Sequence, residues 1–249
     1  MLTVKKDCLK TVLAFTVLLL ITLNSYGQKI LSFEGKAIDP ETSVLLYIEN
    51  HQVTVNNAGD YLSAHVTYSN PEGEVFAEKT LNYDKNSLAP DMMFYDKRSG
   101  ERTSVVLNTV DAYLDVLIET KKRREESKVK LDEALIVVDA GFDRLIKSRW
   151  GSLRKNKELD FTFLAITRAQ LINFEVVEVK ASDTSVLLEL HPRNFFIDLL
   201  VEPIVLEYDI NKRHLFSFEG LTNIEIFKDG ERTGKNYVAR IDYRYHPLK

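Results

Sequence analysis

Cysteine is nearly absent. The single cysteine, Cys8, stands ahead of an apolar run near the start of the chain. Beyond it no thiol remains for a disulfide, a zinc–thiolate site or a thiol nucleophile. Glycine is scarce too, with ten residues placed at turns rather than in phosphate-cradling or dinucleotide loops. No Gly-x-Ser-x-Gly elbow and no calcium loop occurs. The five histidines, His51, His65, His191, His214 and His246, are scattered singly, so none forms a chelating pair. These absences predict no cofactor, no metal site and no catalytic residue set. Paired carboxylates remain compatible with so many acids, so a hydrolase without a recognisable motif ranks behind two binding readings.

What is present begins with an export signal. Lys5, Lys6 and Lys10 precede a 13-residue apolar run, Thr11 to Leu23, and Ser25 and Gly27 supply small residues at the −3 and −1 positions. That arrangement predicts a signal peptide over 1–27. The run is shorter than the roughly 18 residues of a membrane span, so no transmembrane segment is expected after cleavage. The signal carries three lysines and one aspartate, which leaves 30 basic and 36 acidic residues. A mildly acidic chain without a basic, aromatic-interleaved stripe argues against nucleic acid as partner. The expected location is exported, periplasmic or extracellular.

Residues 28–249 predict a β-rich domain. Strict alternation marks Val44, Leu46 and Ile48, then Leu62, Ala64, Val66 and Tyr68, then Val75, Ala77, Leu81 and Tyr83, then Ala112, Leu114, Val116 and Ile118. Turn signals separate the runs at Asn57–Asp60, Asn70–Gly73 and Arg98–Gly100. Short gaps favour antiparallel hairpins. The mixed-charge run Lys121–Glu126 reads as an exposed loop or linker. Phe142, Leu145, Ile146 and Trp150 then fall at helical spacing, with Asp139 as N-cap, Gly151 as C′, and Asp143, Arg144, Lys147 and Ser148 on the wet side.

Further strands follow at 161–167, 172–179, 186–190, 204–208, 215–218 and 224–227. Asn194 is read as capping a short apolar helix over Phe195–Val201. The last strand alternates Ile241, Tyr243 and Tyr245 with Arg240, Asp242 and Arg244. Tyr83-Asp84 leading to Gly100-Glu101-Arg102-Thr103 is echoed by Tyr208-Asp209 leading to Gly230-Glu231-Arg232-Thr233. Duplication gives halves 28–120 and 151–249 joined by 121–150; common turn chemistry is the competing account. His191 reads as a loop histidine and Met92–Tyr95 as strand core. Trp150 reads as an anchor for the helix, with ligand stacking as the rival.

Three stretches carry a resemblance: Tyr83-Asp84 with Pro90, Tyr95, Asp96 and Gly100; Asp139 to Arg144; and Tyr208-Asp209 with Phe218 to Asn223. The chain resembles uncharacterised exported bacterial β-rich proteins, whose strand–turn phrases are similar to those of periplasmic half-barrel lipid and lipoprotein carriers. The resemblance implies a curved antiparallel sheet around a helix and an apolar ligand. No carrier residue transfers, since no position matches residue by residue, and a lipid-anchor cysteine is missing.

The fold expected is mainly β (α+β): a curved antiparallel sheet or half-barrel, as one domain or two similar halves, with a central amphipathic helix and one short helix. The function expected is non-enzymatic binding of an apolar or lipid-like ligand between sheet and helix. Its candidate contacts are Phe142, Leu145, Ile146, Trp150, Phe195 and Phe196. The alternative is a structural or scaffolding envelope protein that works through protein–protein contacts.

Overall fold

The computed structural model describes residues 28–131, 135–193 and 203–247. Eight strands come first: β1 (Lys29–Ile38), β2 (Leu45–Val55), β3 (Tyr61–Ser69), β4 (Val75–Asn82), β5 (Asp91–Asp96), β6 (Glu101–Asn108), β7 (Tyr113–Glu119) and β8 (Arg124–Lys130). The short β9 (Ile136–Val137) leads into helices α1 (Gly141–Ser148) and α2 (Trp150–Asn156). Next come β10 (Glu158–Ala165), a 3₁₀ turn at Ile166–Arg168, β11 (Gln170–Ala181) and β12 (Ser185–Pro192). The chain finishes with β13 (Ile204–Asp209), β14 (Leu215–Lys228) and β15 (Glu231–Tyr245).

The described strands form one curved sheet of 15 members in the order β8-β7-β6-β5-β4-β3-β2-β1-β15-β14-β13-β12-β11-β10-β9. Every pairing is antiparallel except that of β9 with β10. Sequence neighbours from β1 to β8 and from β10 to β15 therefore pair antiparallel, while β8 and β9 lie at opposite edges and β1 and β15 meet in the middle of the sheet. The turns are built as their residues dictate. Asn56 Oδ1 accepts the amides of Ala58 and Asp60, and Asn70 Oδ1 accepts the amide of Glu74.

Alternation places one face inside. Ala64, Val66, Tyr68, Ala77, Leu81, Val105, Leu114, Val116, Ala239 and Ile241 are buried on it. One apolar cluster joins Leu81, Val105 and Leu114 from one wing to Ile136 and Leu164 from the other. The sheet thus curls until its wings share a core. Each fully buried Leu or Val there contributes about 1.5–3 kcal/mol.

Several expectations need correction. In β2 the inward face is Tyr47, Glu49, Val53 and Val55, while Val44 is 57% exposed. The expected row was off by one position, which reverses every side chain in a strand. Val75, also expected inside, is exposed, and Ala112 sits in a turn with φ 54°. The charged run is a loop only through Arg123; Arg124 to Glu126 belong to the edge strand β8. The segments 215–218 and 224–227 are one strand, β14, whose pairing with β15 shifts register. His191 lies in β12, within 3.2 Å of Glu189 Oε2, and not in a loop.

The helix does not stop at Trp150: it is interrupted at Arg149 and resumes as α2, with Gly151 inside it and a left-handed Lys157 ending it. Asp139 makes no side-chain cap of α1; its φ is 45° and its carboxylate is engaged elsewhere. Asn194 and the helix expected over Phe195–Val201 lie outside the described residues.

Candidate functional site

The floor of the inner face is set by register. Phe33 of β1 stands directly opposite His51 of β2 on one side and Tyr245 of β15 on the other. Cross-strand partners sit close enough for rings to meet. Phe33 stacks on His51 with centroids 4.3 Å apart and on Tyr245 at 4.7 Å; His214, from the β13–β14 turn, stacks on Tyr245 at 4.0 Å. Four rings therefore run in file across the inner face, all only partly buried.

Tyr243 crosses this file edge-on to Phe33, and a missing side chain makes room for it. Gly35 lies opposite, and a Cβ there would come within 2.7 Å of Tyr243 Cε1. The Tyr243 hydroxyl donates to Glu49 Oε2 at 3.2 Å, and His51 Nε2 lies 2.9 Å from the same oxygen. Burial, reinforced by the Glu49 charge, pushes the Tyr243 phenol well above its ordinary range. Tyr243 therefore stays a donor. His214 is held below the usual histidine value by burial and then by Lys147, so it is neutral at neutral pH.

One end of the inner face is closed by α1. Asp143 accepts hydrogen bonds from the Tyr61 hydroxyl at 2.8 Å, the Tyr208 hydroxyl at 3.2 Å and Lys147 Nζ at 2.7 Å. Lys147 also donates to the Tyr61 oxygen at 2.6 Å. Arg144 pairs with Asp60, and Asp139 pairs with Lys79 of β4 at 2.8 Å, both partners of the latter nearly buried. The face expected to be wet is therefore the face that docks onto Asp60 and Tyr61 at the start of β3 and onto Tyr208 of β13; only Ser148 of that set is exposed. The helix lies inside the curl, so it meets protein on both sides. Gly141 permits this approach, since a Cβ there would sit 1.9 Å from the Leu88 carbonyl oxygen.

The ligand contacts expected on the opposite face of α1 are packed. Leu145 and Ile146 are fully buried and Trp150 nearly so, in a cluster with Leu153, Phe161, Leu188 and Tyr208. Phe142 is partly buried and packs its ring 5.3 Å from that of Phe161. Phe195 and Phe196 lie outside the described residues. The structure instead brings forward Phe33, His51, His214, Tyr243 and Tyr245. The only sequence signal for them was the alternation through 241–245, which marks a face but not its neighbours.

The far end of the same strands holds an open cleft of about 470 Å³, lined by Tyr47, Phe76, Tyr237 and the β3–β4 and β5–β6 turns. The long β14–β15 hairpin reaches across it: Arg232 bonds Glu101 at 2.7 Å, and the Arg98 guanidinium lies between the rings of Phe76 and Phe227. Among the described residues no group of three or more metal-ligating side chains occurs, and no helix is long and apolar enough to cross a membrane.

The fold defines a mainly β protein built on one open, curved and almost wholly antiparallel sheet. No family model and no curated protein matches the chain. Among solved structures it is similar to a beta-barrel-like protein of the domain of unknown function DUF1849 from Brucella abortus, at 8% identity over 89% of this chain and 96% of that one, with a TM-score of 0.43. It is also similar to a porin-like protein from Bacteroides uniformis, at 11% identity over 86% of this chain and 97% of that one, with a TM-score of 0.29.

Proposed function

We propose that this chain is an exported, non-enzymatic binding protein that holds an apolar or lipid-like ligand against the inner face of the curved sheet, beside α1, in the manner of the half-barrel carriers it resembles. One observation carries the reading. The file His214–Tyr245–Phe33–His51 lies on the inner face yet stays partly open. Rings left accessible inside a curl offer a flat apolar surface, and the hydroxyls and ring nitrogens at its margins offer a few fixed polar contacts. Export rests on the expected removal of residues 1–27.

The test is to purify the protein from its native compartment and analyse bound material by native mass spectrometry after mild and complete delipidation. Retained lipid, displaced from a Phe33→Ala variant, is the expected result. A protein that emerges free of lipid and takes up no fatty acid or phospholipid afterwards overturns the reading. The scaffolding alternative draws less support, because the edge strand β8 carries Arg124, Glu125, Glu126, Lys128 and Lys130. Such charges oppose pairing with another strand.

A further inference from the structure

The two ends of the ring file differ in charge. At one end His51 Nε2 and the Tyr243 hydroxyl both meet Glu49 Oε2, so a carboxylate stands there with its acceptor already taken. Glu49 is 6% exposed, and among the described residues no lysine or arginine pairs with it. At the other end the file stops at His214. Lys147 of α1 is the largest single charge acting on this ring, ahead of Asp143 on the same helix and of Lys212 and Asp209 in its own turn. Arg213 beside it lies over the Trp150 ring. The Asp143 carboxylate is spent on Tyr61, Tyr208 and Lys147. An acidic group is therefore repelled from the Glu49 end and drawn to the Lys147 end.

Donors remain at that second end. Lys147 Nζ gives one proton to Asp143 and one to Tyr61, which leaves its third N–H to donate. The Lys147 side chain is 15% exposed, so it is not sealed from a ligand. His214 is partly buried and stacks on Tyr245, and neither of its ring nitrogens has a hydrogen-bond partner among the described residues. Enclosed polar atoms usually find one. The charges of Lys147 and Asp143 cancel, so a ligand carboxylate arriving there adds one negative charge, and a proton on His214 balances it. That proton is absent beforehand, because burial and then Lys147 hold His214 below the ordinary histidine value. A carboxylate beside the ring acts in the opposite sense.

We propose that the floor binds a long-chain carboxylic acid in one orientation, its chain along Tyr245 and Phe33 and its carboxylate between Lys147 and His214, and that His214 takes up a proton as the acid binds. The carboxylate site rests on the apolar-ligand reading above and supplies its head group. Laurate and 1-dodecanol share a chain and differ in charge, so their displacement of N-phenyl-1-naphthylamine from the full protein separates head group from floor. A free carboxylate stays ionised from pH 8 to pH 6. Over that range laurate affinity is expected to rise about tenfold as His214 takes its proton, while dodecanol affinity stays level. Calorimetry with laurate at pH 7, in two buffers of different ionisation enthalpy, is expected to show proton uptake. His214→Phe keeps a ring in the stack and is expected to abolish the uptake and the pH dependence together. Lys147→Met is expected to weaken laurate about tenfold more than dodecanol. Level laurate affinity, no proton uptake, or an equal loss of both ligands in Lys147→Met overturns the carboxylate site, while dodecanol binding leaves the apolar floor standing. Failure of both ligands to bind overturns the two readings together.

Discussion

The two ends of the inner face solve opposite problems with similar residues. At the helix end, carboxylates and amines are driven inward: Asp139 with Lys79, and Asp143 with Lys147, Tyr61 and Tyr208. At the hairpin end only the Asp96–Arg98 pair is so enclosed, while Lys97 with Glu78 and Arg232 with Glu101 stand toward the rim. A buried ion pair is costly to break, because either charge left alone in low dielectric is unsolvated. A rim pair is cheap to break, because water replaces the partner. The helix end is therefore a lock, and the outer pairs of the hairpin end hold it more loosely.

The sharpest way to break that contrast is to strip one charge from the lock. Asp139→Ala leaves Lys79, 8% exposed in its side chain, without its carboxylate. The expected loss is about 3–5 kcal/mol in urea unfolding. The double variant Lys79→Met with Asp139→Leu is expected to recover most of it, since the desolvated charge is gone with its partner. A single variant as stable as wild type would show that water reaches the pair.

Next in size is Gly141→Ala. The new methyl would sit 1.9 Å from the Leu88 carbonyl oxygen, and that oxygen also accepts the Val138 amide at 2.9 Å. Relief requires α1 to back away from the β4–β5 loop. A loss of about 1–3 kcal/mol is expected, with hydrogen exchange quickened across α1 more than across β14 and β15. Equal quickening at both ends would mean that the helix does not act as a local lock.

The sequence made some of this visible. The alternation Ile241, Tyr243, Tyr245 against Arg240, Asp242, Arg244 gives the inward face of β15 directly, and Asn70 and Gly73 mark their turn. The β-dominated curved sheet followed from such runs. What the chain could not reveal is which distant strands become neighbours. The ring file needs β1 beside both β2 and β15, and Phe33 and Tyr245 are more than two hundred positions apart. The reading of Asp143, Arg144 and Lys147 as wet failed for the same reason: helical periodicity separates polar from apolar faces, but only tertiary closure brings tyrosine hydroxyls to the polar one. The apolar row Val44, Leu46 and Ile48 points to the wrong face of β2, because the true inner row includes a carboxylate, Glu49, which accepts from His51 and Tyr243 inside.

Alkali reaches both ends and so separates them. Burial raises Tyr208 at the helix end and Tyr68 at the hairpin end well above the phenol value of 10.0, with the charges of Asp143 and Glu49 adding to it. A folded-state value above the unfolded one means stability that is whole below pH 10 and lost as pH rises beyond it. The expected slope is about 1.4 kcal/mol per pH unit for each such hydroxyl, read as urea midpoints at pH 9 to 11.5. Tyr208→Phe and Tyr68→Phe are each expected to remove one share of the slope. His214 acts at the other extreme: its depressed value places its contribution above pH 6.5, lost as pH falls, and His214→Phe is expected to flatten that acid limb.

The smallest effect belongs to the strap across the cleft. Arg232 is 45% exposed in its side chain and bonds Glu225 and Glu101, whose carboxylates hold its guanidinium above its usual value. Being largely in water, the pair to Glu101 is worth about 0.2–1 kcal/mol, less at high salt. Arg232→Gln is therefore expected to leave the urea midpoint nearly unchanged, and to speed amide exchange only in the hairpin from Ile226 to Lys235. A global loss comparable to that of Asp139→Ala would mean that the hairpin end is as locked as the helix end. The division of the inner face into a fixed end and a loosely held end would then fail.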